Sequence, residues 1–89
     1  MKITNPIARR LEVYRAMSDP TRVGVALTTL NDEAVGFNEI KRAVKIKNPQ
    51  TLVYHLDRLI RAGLVQNDKG GYIATPKLRE LLEKEGFLK

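Results

Sequence analysis

The chain has 89 residues, no cysteine, one histidine, and sixteen Lys+Arg against ten Asp+Glu, a formal charge of +6 at neutral pH. At 10.1 kDa it has room for one compact core, burying roughly 60–70% of its unfolded surface, and not for the separate cofactor and substrate domains of larger enzymes. The missing cysteines exclude disulfides, thiolate catalysis and Cys-ligated zinc, the lone histidine excludes a multi-histidine metal centre in one chain, and 43% hydrophobic with 29% charged residues is the balance of a folded globular domain.

The opening run Met1-Lys2-Ile3-Thr4-Asn5-Pro6 lacks the apolar segment of a signal peptide. No apolar run approaches the ~18 residues of a membrane span. The expectation is a soluble cytoplasmic protein without a membrane partner. Asn5-Pro6 pairs a cap with proline at the first helical position. Ile7, Leu11 and Tyr14, with Ala8, Val13 and Met17 beside them, then predict an amphipathic helix over residues 6–17. Asp19-Pro20 repeats the device and opens a second helix, with Val23, Ala26, Leu27 and Leu30 on one face and Asn31-Asp32-Glu33 closing it.

Val35-Gly36-Phe37 is too brief for a helix and reads as one small strand. Asn38 is placed to cap a third helix, with Ile40, Ala43 and Val44 inward and Lys41, Arg42 and Lys45 outward. After Ile46-Lys47, Asn48-Pro49 starts a fourth helix whose Leu52, Leu56 and Leu59 recur at i, i+4, i+7 and face the core. Gly63 is the expected left-handed stop. The period then changes: Leu64–Asn67, Asp68–Gly71 and Tyr72–Thr75 read as strand, tight turn and strand, with Gly70-Gly71 as turn glycines. Thr75-Pro76 caps a last helix over 76–85, with Leu78, Leu81 and Leu82 on one side and Gly86 as its stop.

The predicted order is helix, helix, short strand, helix, helix, hairpin, helix: mainly α with a small β-hairpin, a winged helix-turn-helix in a single domain spanning 1–89. The helix-turn-helix covers about 38–62 and the wing about 64–75. The charge follows this layout. Residues 38–79 hold nine bases against three acids, a net +6, whereas residues 1–37 hold five against four and residues 80–89 two against three. Such a placement fits a polyanion-binding surface.

A helix fits the DNA major groove, and side chains near its N-terminus reach base edges. On the fourth helix, the face opposite the leucines carries Gln50, Tyr54, Asp57, Arg58 and Arg61, with Thr51 at its edge. Gln50 suits a bidentate contact to adenine, Thr51 and Tyr54 a phosphate or a thymine methyl, and Arg58 a phosphate. Asn48 stands at the start of the same helix. Lys41, Arg42, Lys45 and Lys47 form the basic approach to it, and Lys69 tips the wing. His55 and Asp57, two residues apart on a helix, diverge and cannot pair in a catalytic triad. His55 is instead expected as a structural residue near the core boundary. Three leucines on the last helix, with Leu11 and Tyr14 on the first, exceed what so small a core needs, and point to a two-fold interface.

Two runs resemble the ArsR-type winged-helix regulators. Met17-Ser18-Asp19-Pro20-Thr21-Arg22 is similar to their LSDPTR opening, and Leu52–Val65, with His55-Leu56 and Ala62-Gly63-Leu64-Val65 in register, is similar to their recognition helix and its exit. The resemblance covers about residues 7–82. It implies a DNA-binding transcriptional regulator, usually a dimer formed through the first and last helices. Three departures stand out. The cysteine ligands of the metal-sensing members are missing, so neither metal nor other cofactor is expected. The turn Lys45-Ile46-Lys47-Asn48 is one residue longer than usual and has no glycine. Val53 stands where a hydroxyl residue often touches DNA.

The expected function is therefore a homodimeric, sequence-specific regulator without catalysis, reading a palindromic double-stranded site and associated with the nucleoid if prokaryotic. Two rivals share the fold. One is an architectural DNA coater with little sequence preference, and the other a winged-helix protein-interaction module.

Overall fold

The computed structural model describes residues 5–84, and the side chains of residues 10–84. Ile7, Ala8 and the stop expected at Gly86 lie outside the described side chains. Among the described residues five helices and one hairpin follow one another: α1 (Asn5–Ala16), α2 (Pro20–Thr28), α3 (Phe37–Ala43), α4 (Pro49–Arg61), β1 (Val65–Asp68), β2 (Gly71–Ala74) and α5 (Pro76–Lys84). This is a winged-helix-like fold, mostly helical with a two-stranded antiparallel sheet.

The helix ends are written in local chemistry. Asp19 Oδ1 accepts from the backbone N–H of Thr21 at 2.8 Å and of Arg22 at 3.2 Å, with Pro20 at the first helical position. Asn48 Oδ1 accepts from the Gln50 N–H at 2.9 Å, with Pro49 following it. Each cap satisfies backbone donors that the helix itself cannot. At the far end of α4, Gly63 adopts φ 77°. Its N–H reaches the Ile60 carbonyl at 2.9 Å, and that of Leu64 the Leu59 carbonyl at 3.0 Å, the paired bonds of a Schellman stop. Lys77 Nζ adds a cation on the Ala62 carbonyl at 3.1 Å, the favourable charge for a helix C-terminus.

α4 packs against α1, α2 and β1, α2 also against α3, and α5 against β2. The core comprises Val13 and Ala16 from α1, Val25 and Ala26 from α2, Ile40 from α3, Leu52, Leu56 and Leu59 from α4, then Val35, Leu64, Val65, Leu78 and Leu82. Several inward faces differ from the sequence expectation. On α1, Leu11 and Tyr14 point to solvent while Val13 and Ala16 are buried. On α2 the inward face is Arg22, Val25, Ala26 and, just past the helix, Thr29, and Leu27 is exposed. On α3, Ile40 is buried, Val44 half-buried and Ala43 exposed. Short helices have apolar residues on more than one side, and the neighbour they meet decides which side is covered.

The expected strand at Val35-Gly36-Phe37 is a single bridge. Val35 and Tyr72 exchange backbone bonds of 2.8 and 2.9 Å. Phe37 already belongs to α3, whose cap is Gly36, with no side chain accepting there, so Asn38 is an exposed first-turn residue and not the cap. Gly71 is likewise a strand residue, opposite Asp68 in the ladder.

Two non-glycine residues among the described ones adopt positive φ, and both are lysines: Lys45 at 57° and Lys69 at 49°. Lys45 takes the left-handed position of a Schellman stop on α3, with the Lys45 N–H on the Arg42 carbonyl at 3.2 Å and the Ile46 N–H on the Lys41 carbonyl at 3.1 Å. Glycine usually fills this position. Lys69 and Gly70 (φ 82°) form the two-residue hairpin loop, whose primed turn requires φ > 0 at both positions. A side chain in this region costs about 1–2 kcal/mol. Lys45→Gly and Lys69→Gly are each expected to stabilise the fold by about 0.5–1 kcal/mol, a rise of roughly 3–6 °C in Tm. A fall in Tm on thermal denaturation would contradict this reading of the backbone.

Candidate nucleic-acid interface

α4 presents two opposite faces. Leu52, His55, Leu56 and Leu59 are buried, and Gln50, Thr51, Val53, Tyr54, Asp57, Arg58 and Arg61 are all exposed. The buried face clamps the helix to α1, α2 and β1, so the outward face is presented on a fixed support. Asn48 and the residues predicted to read DNA lie on or directly before this face. Asn48 commits its side-chain oxygen to the cap, which leaves its amide group as the donor available to a ligand.

Tyr54 is the centre of the face. The residue is 53% exposed. The Arg22 guanidinium carbon lies 5.5 Å from the ring centroid and that of Arg58 6.0 Å. The His55 ring stands 5.6 Å away, tilted by 58°. Arg58 is thus held beside an aromatic ring and is also exposed toward any polyanion. Asp57 is engaged by Arg61, with Arg61 Nε 2.9 Å from its Oδ2. This exposed pair adds little stability, but it offsets the acidic charge on the face.

The turn before α4 is the second part. Lys41, Arg42, Lys45, Ile46 and Lys47 line an open concavity of about 510 Å³. The four cations expected to approach the helix therefore line one shallow, open depression. Lys69 stands apart from them, on the exposed hairpin turn.

The expected dimer residues separate into two sets. Leu78 (0% exposed) and Leu82 (3%) are part of this chain's own core, and Leu81 is half-buried against it. With Leu78 and Leu82 sealed by the helices and sheet around them, they have no surface to offer a partner, and that part of the expectation is corrected. Leu11 and Tyr14 do remain open, at 43% and 59% exposure.

Of two further residues of this region, Val53 entered the sequence reading only as a departure from the ArsR-type pattern, and the role of Arg22 escaped it. Val53 is 49% exposed on the outward face, where its methyl groups suit a thymine methyl. Arg22 is buried on α2, with hydrogen bonds from Nε and Nη1 and a carboxylate near Nη2. Its Nε donates to His55 Nδ1 at 3.2 Å, its Nη1 to the carbonyls of Arg15 at 3.1 Å and Ala16 at 3.2 Å, and its Nη2 lies 3.9 Å from Asp19 Oδ2. A single charged residue on an otherwise apolar helix face was the available signal. Among the described residues no buried side-chain nitrogen or oxygen lacks a partner.

Burial, and then the charge of Arg22, hold the His55 imidazole below its ordinary pKa of 6.5, with Asp19 opposing. Its neutral form is also the one that can accept at Nδ1. The unfolded chain therefore binds a proton that the folded chain resists, and folding stability must fall as pH drops below about 6.5 through the lowered folded value. Asp19, lowered from 3.8 first by the Arg22 backbone bond, adds a second loss further into acid. Urea unfolding midpoints at pH 7.5, 6 and 5 check the first step. In His55→Phe the decline across this window should flatten.

Among the described residues no helix is long and apolar enough to cross a membrane. A family model described as Domain of unknown function (DUF7347) matches residues 11–83, and the chain belongs to that family. No curated protein matches the sequence. The structure is similar to that of the activation domain of the phage T4 transcription factor MotA, with a TM-score of 0.70 and 14% sequence identity over 88% of this chain and 85% of that chain. At this identity the likeness establishes the fold.

Proposed function

We propose that this DUF7347 family member is a sequence-specific regulator of transcription that binds double-stranded DNA, allied in mechanism to the ArsR-type winged-helix proteins. α4 enters the major groove, the concavity at Lys41–Lys47 takes phosphates, and Lys69 on the wing touches the flanking backbone. The observation that carries this reading is the outward face of α4, rigidly backed by buried leucines and His55 and directly preceded by four cations around one depression. In this reading the protein acts by binding alone, without catalysis, cofactor or metal, in the compartment that holds the DNA. Two copies would place two α4 helices one turn of DNA apart, about 34 Å. Their contact runs through Leu11 and Tyr14 of α1 rather than through α5.

Selection from random duplexes at physiological salt tests the proposal, with the stoichiometry of the selected complex measured. An enriched palindrome bound by two chains is the expected result. Replacing Gln50 or Tyr54 by Ala should cost about 1–3 kcal/mol on the selected site and relax preference at one position, while Lys47→Ala should weaken all duplexes alike and reduce the salt slope by about 1. Binding without enrichment would favour the architectural coater. A chain with no affinity for any duplex would point to a protein-interaction module. That second reading has in its favour the exposed Leu11 and Tyr14 and the likeness to a domain named for activation.

A further inference from the structure

We propose that Arg22, acting through His55, is a positioning residue for DNA reading: the link between α2 and α4 holds the Tyr54 ring in one orientation and thereby sets sequence discrimination. The inference rests on the DNA-reading role of α4.

Arg22 gathers three chain segments at one guanidinium. Its Nη1 bonds two carbonyls at the end of α1, its Nη2 faces the Asp19 cap of α2, and its Nε donates to His55 on α4. Nε and Nη1 make three hydrogen bonds and Nη2 lies 3.9 Å from the Asp19 carboxylate, so the guanidinium is held from three directions. Its position at the C-terminal carbonyls of α1 also suits the helix dipole. The same guanidinium lies 5.5 Å from the Tyr54 centroid, and the His55 ring, itself fixed by the bond to Arg22, lies 5.6 Å from it. Tyr54 is half exposed but has two buried neighbours joined by a hydrogen bond, one cationic and one aromatic, in addition to the exposed Arg58.

A link that served only to hold helices together would not need this arrangement. Buried charges are costly to desolvate, and an apolar pair of similar volume commonly stabilises a core as well or better. What an apolar pair cannot supply is a fixed cation beside a ring on the outward face. Cation–π attraction is modest at exposed sites and larger where the cation is desolvated, as Arg22 is here. Restricting the ring before binding removes an ordering cost that would otherwise be met on the DNA. Readout by a preset ring is also sharper than by one that adapts to several base steps.

The test uses the full chain and three variants. Arg22→Lys keeps a cation but loses the fork and the Nε donor. His55→Phe keeps a ring but removes the acceptor. His55→Asn offers a side-chain oxygen close to the place of Nδ1. The quantities read are the ratio of Kd for random duplex to Kd for the selected site, and the Tyr54 χ1 couplings of the free protein by NMR. We expect Arg22→Lys and His55→Phe to lower the ratio about 3- to 5-fold with random-duplex affinity little changed, and to spread Tyr54 over several rotamers. His55→Asn, which restores the acceptor for Arg22 without the ring, should keep both readouts closer to those of the natural chain than His55→Phe does. An unchanged ratio in a folded variant overturns the inference while leaving DNA binding intact. A chain that selects no duplex overturns the functional reading, and this inference with it. Should the variants fail to fold, the natural chain decides: a single Tyr54 rotamer alongside a detectable N–N coupling across the Arg22–His55 bond supports the inference, and an averaged Tyr54 beside that same bond overturns it.

Discussion

Gly71→Ala is expected to destabilise the fold by about 2–3 kcal/mol, lowering Tm by roughly 10–20 °C. A methyl group at this position would stand 2.9 Å from the Val35 carbonyl oxygen, and 3.2 Å from both the Val35 carbonyl carbon and the Ala34 Cβ. Two of these atoms are backbone, so no side-chain rotation relieves the clash. The strand must move away from Val35, and the two bonds between Val35 and Tyr72 open together. Those bonds tie the loop before α3 to the wing. Gly24→Ala provides the contrast. Its added methyl would meet only Val44 Cγ1, at 3.6 Å, and glycine inside a helix is unfavourable by about 1 kcal/mol relative to alanine. Gly24→Ala should therefore raise Tm while Gly71→Ala lowers it. Equal effects in thermal denaturation would refute the assignment of Gly71 to a backbone approach.

The largest effect on binding is expected from removing charge at the turn before α4. Lys41, Arg42, Lys45 and Lys47 surround a single concavity. If each neutralises a phosphate, replacing all four by Gln shallows the slope of log K against log salt by about 3.6, and lowers affinity for every duplex two to three orders of magnitude at 0.15 M salt. Preference among sequences should survive, because phosphate contacts position the protein while base edges specify the site. Fluorescence anisotropy titrations of selected and random duplexes over a range of salt provide the measurement. An unaltered slope would remove this turn from the interface. The two left-handed lysines make the point individually. Lys45→Gly and Lys69→Gly each relieve a backbone cost, yet each should weaken DNA binding, so stability and affinity move in opposite directions. Strain retained at positions that carry function is a known pattern.

The starts of α2 and α4 and the end of α4 were legible from the sequence because capping is local, whereas α3, whose cap is Gly36 with no side-chain bond, starts before the expected Asn38. Asp19-Pro20 and Asn48-Pro49 act on backbone N–H groups two or three residues away, and Gly63 needs only its own φ. The leucine face of α4 was equally legible, since three leucines at helical spacing leave one orientation. α1 and α2 were not. Each carries apolar residues around much of its circumference, and rotation about the helix axis depends on what packs beside it. Hence Leu27 is exposed where the inward face was expected, and on α1 the buried side runs through Val13 and Ala16 while Leu11 and Tyr14 stay open.

The candidate interface divides along the same line. Sequence alone determined that the positive charge lies between residues 38 and 79, and that Gln50, Thr51, Tyr54 and Arg58 share the face of α4 opposite its leucines. Both follow from composition and from the 3.6-residue period. Tertiary structure alone decided that Leu78 and Leu82 belong to the core and not to a partner, and that Arg22 and His55, thirty-three positions apart, form one bonded unit beside Tyr54. Helical period assigns a side chain to a face. What that face meets is set by long-range packing, in which a buried arginine persists only where donors, carbonyls and an imidazole converge from separate segments.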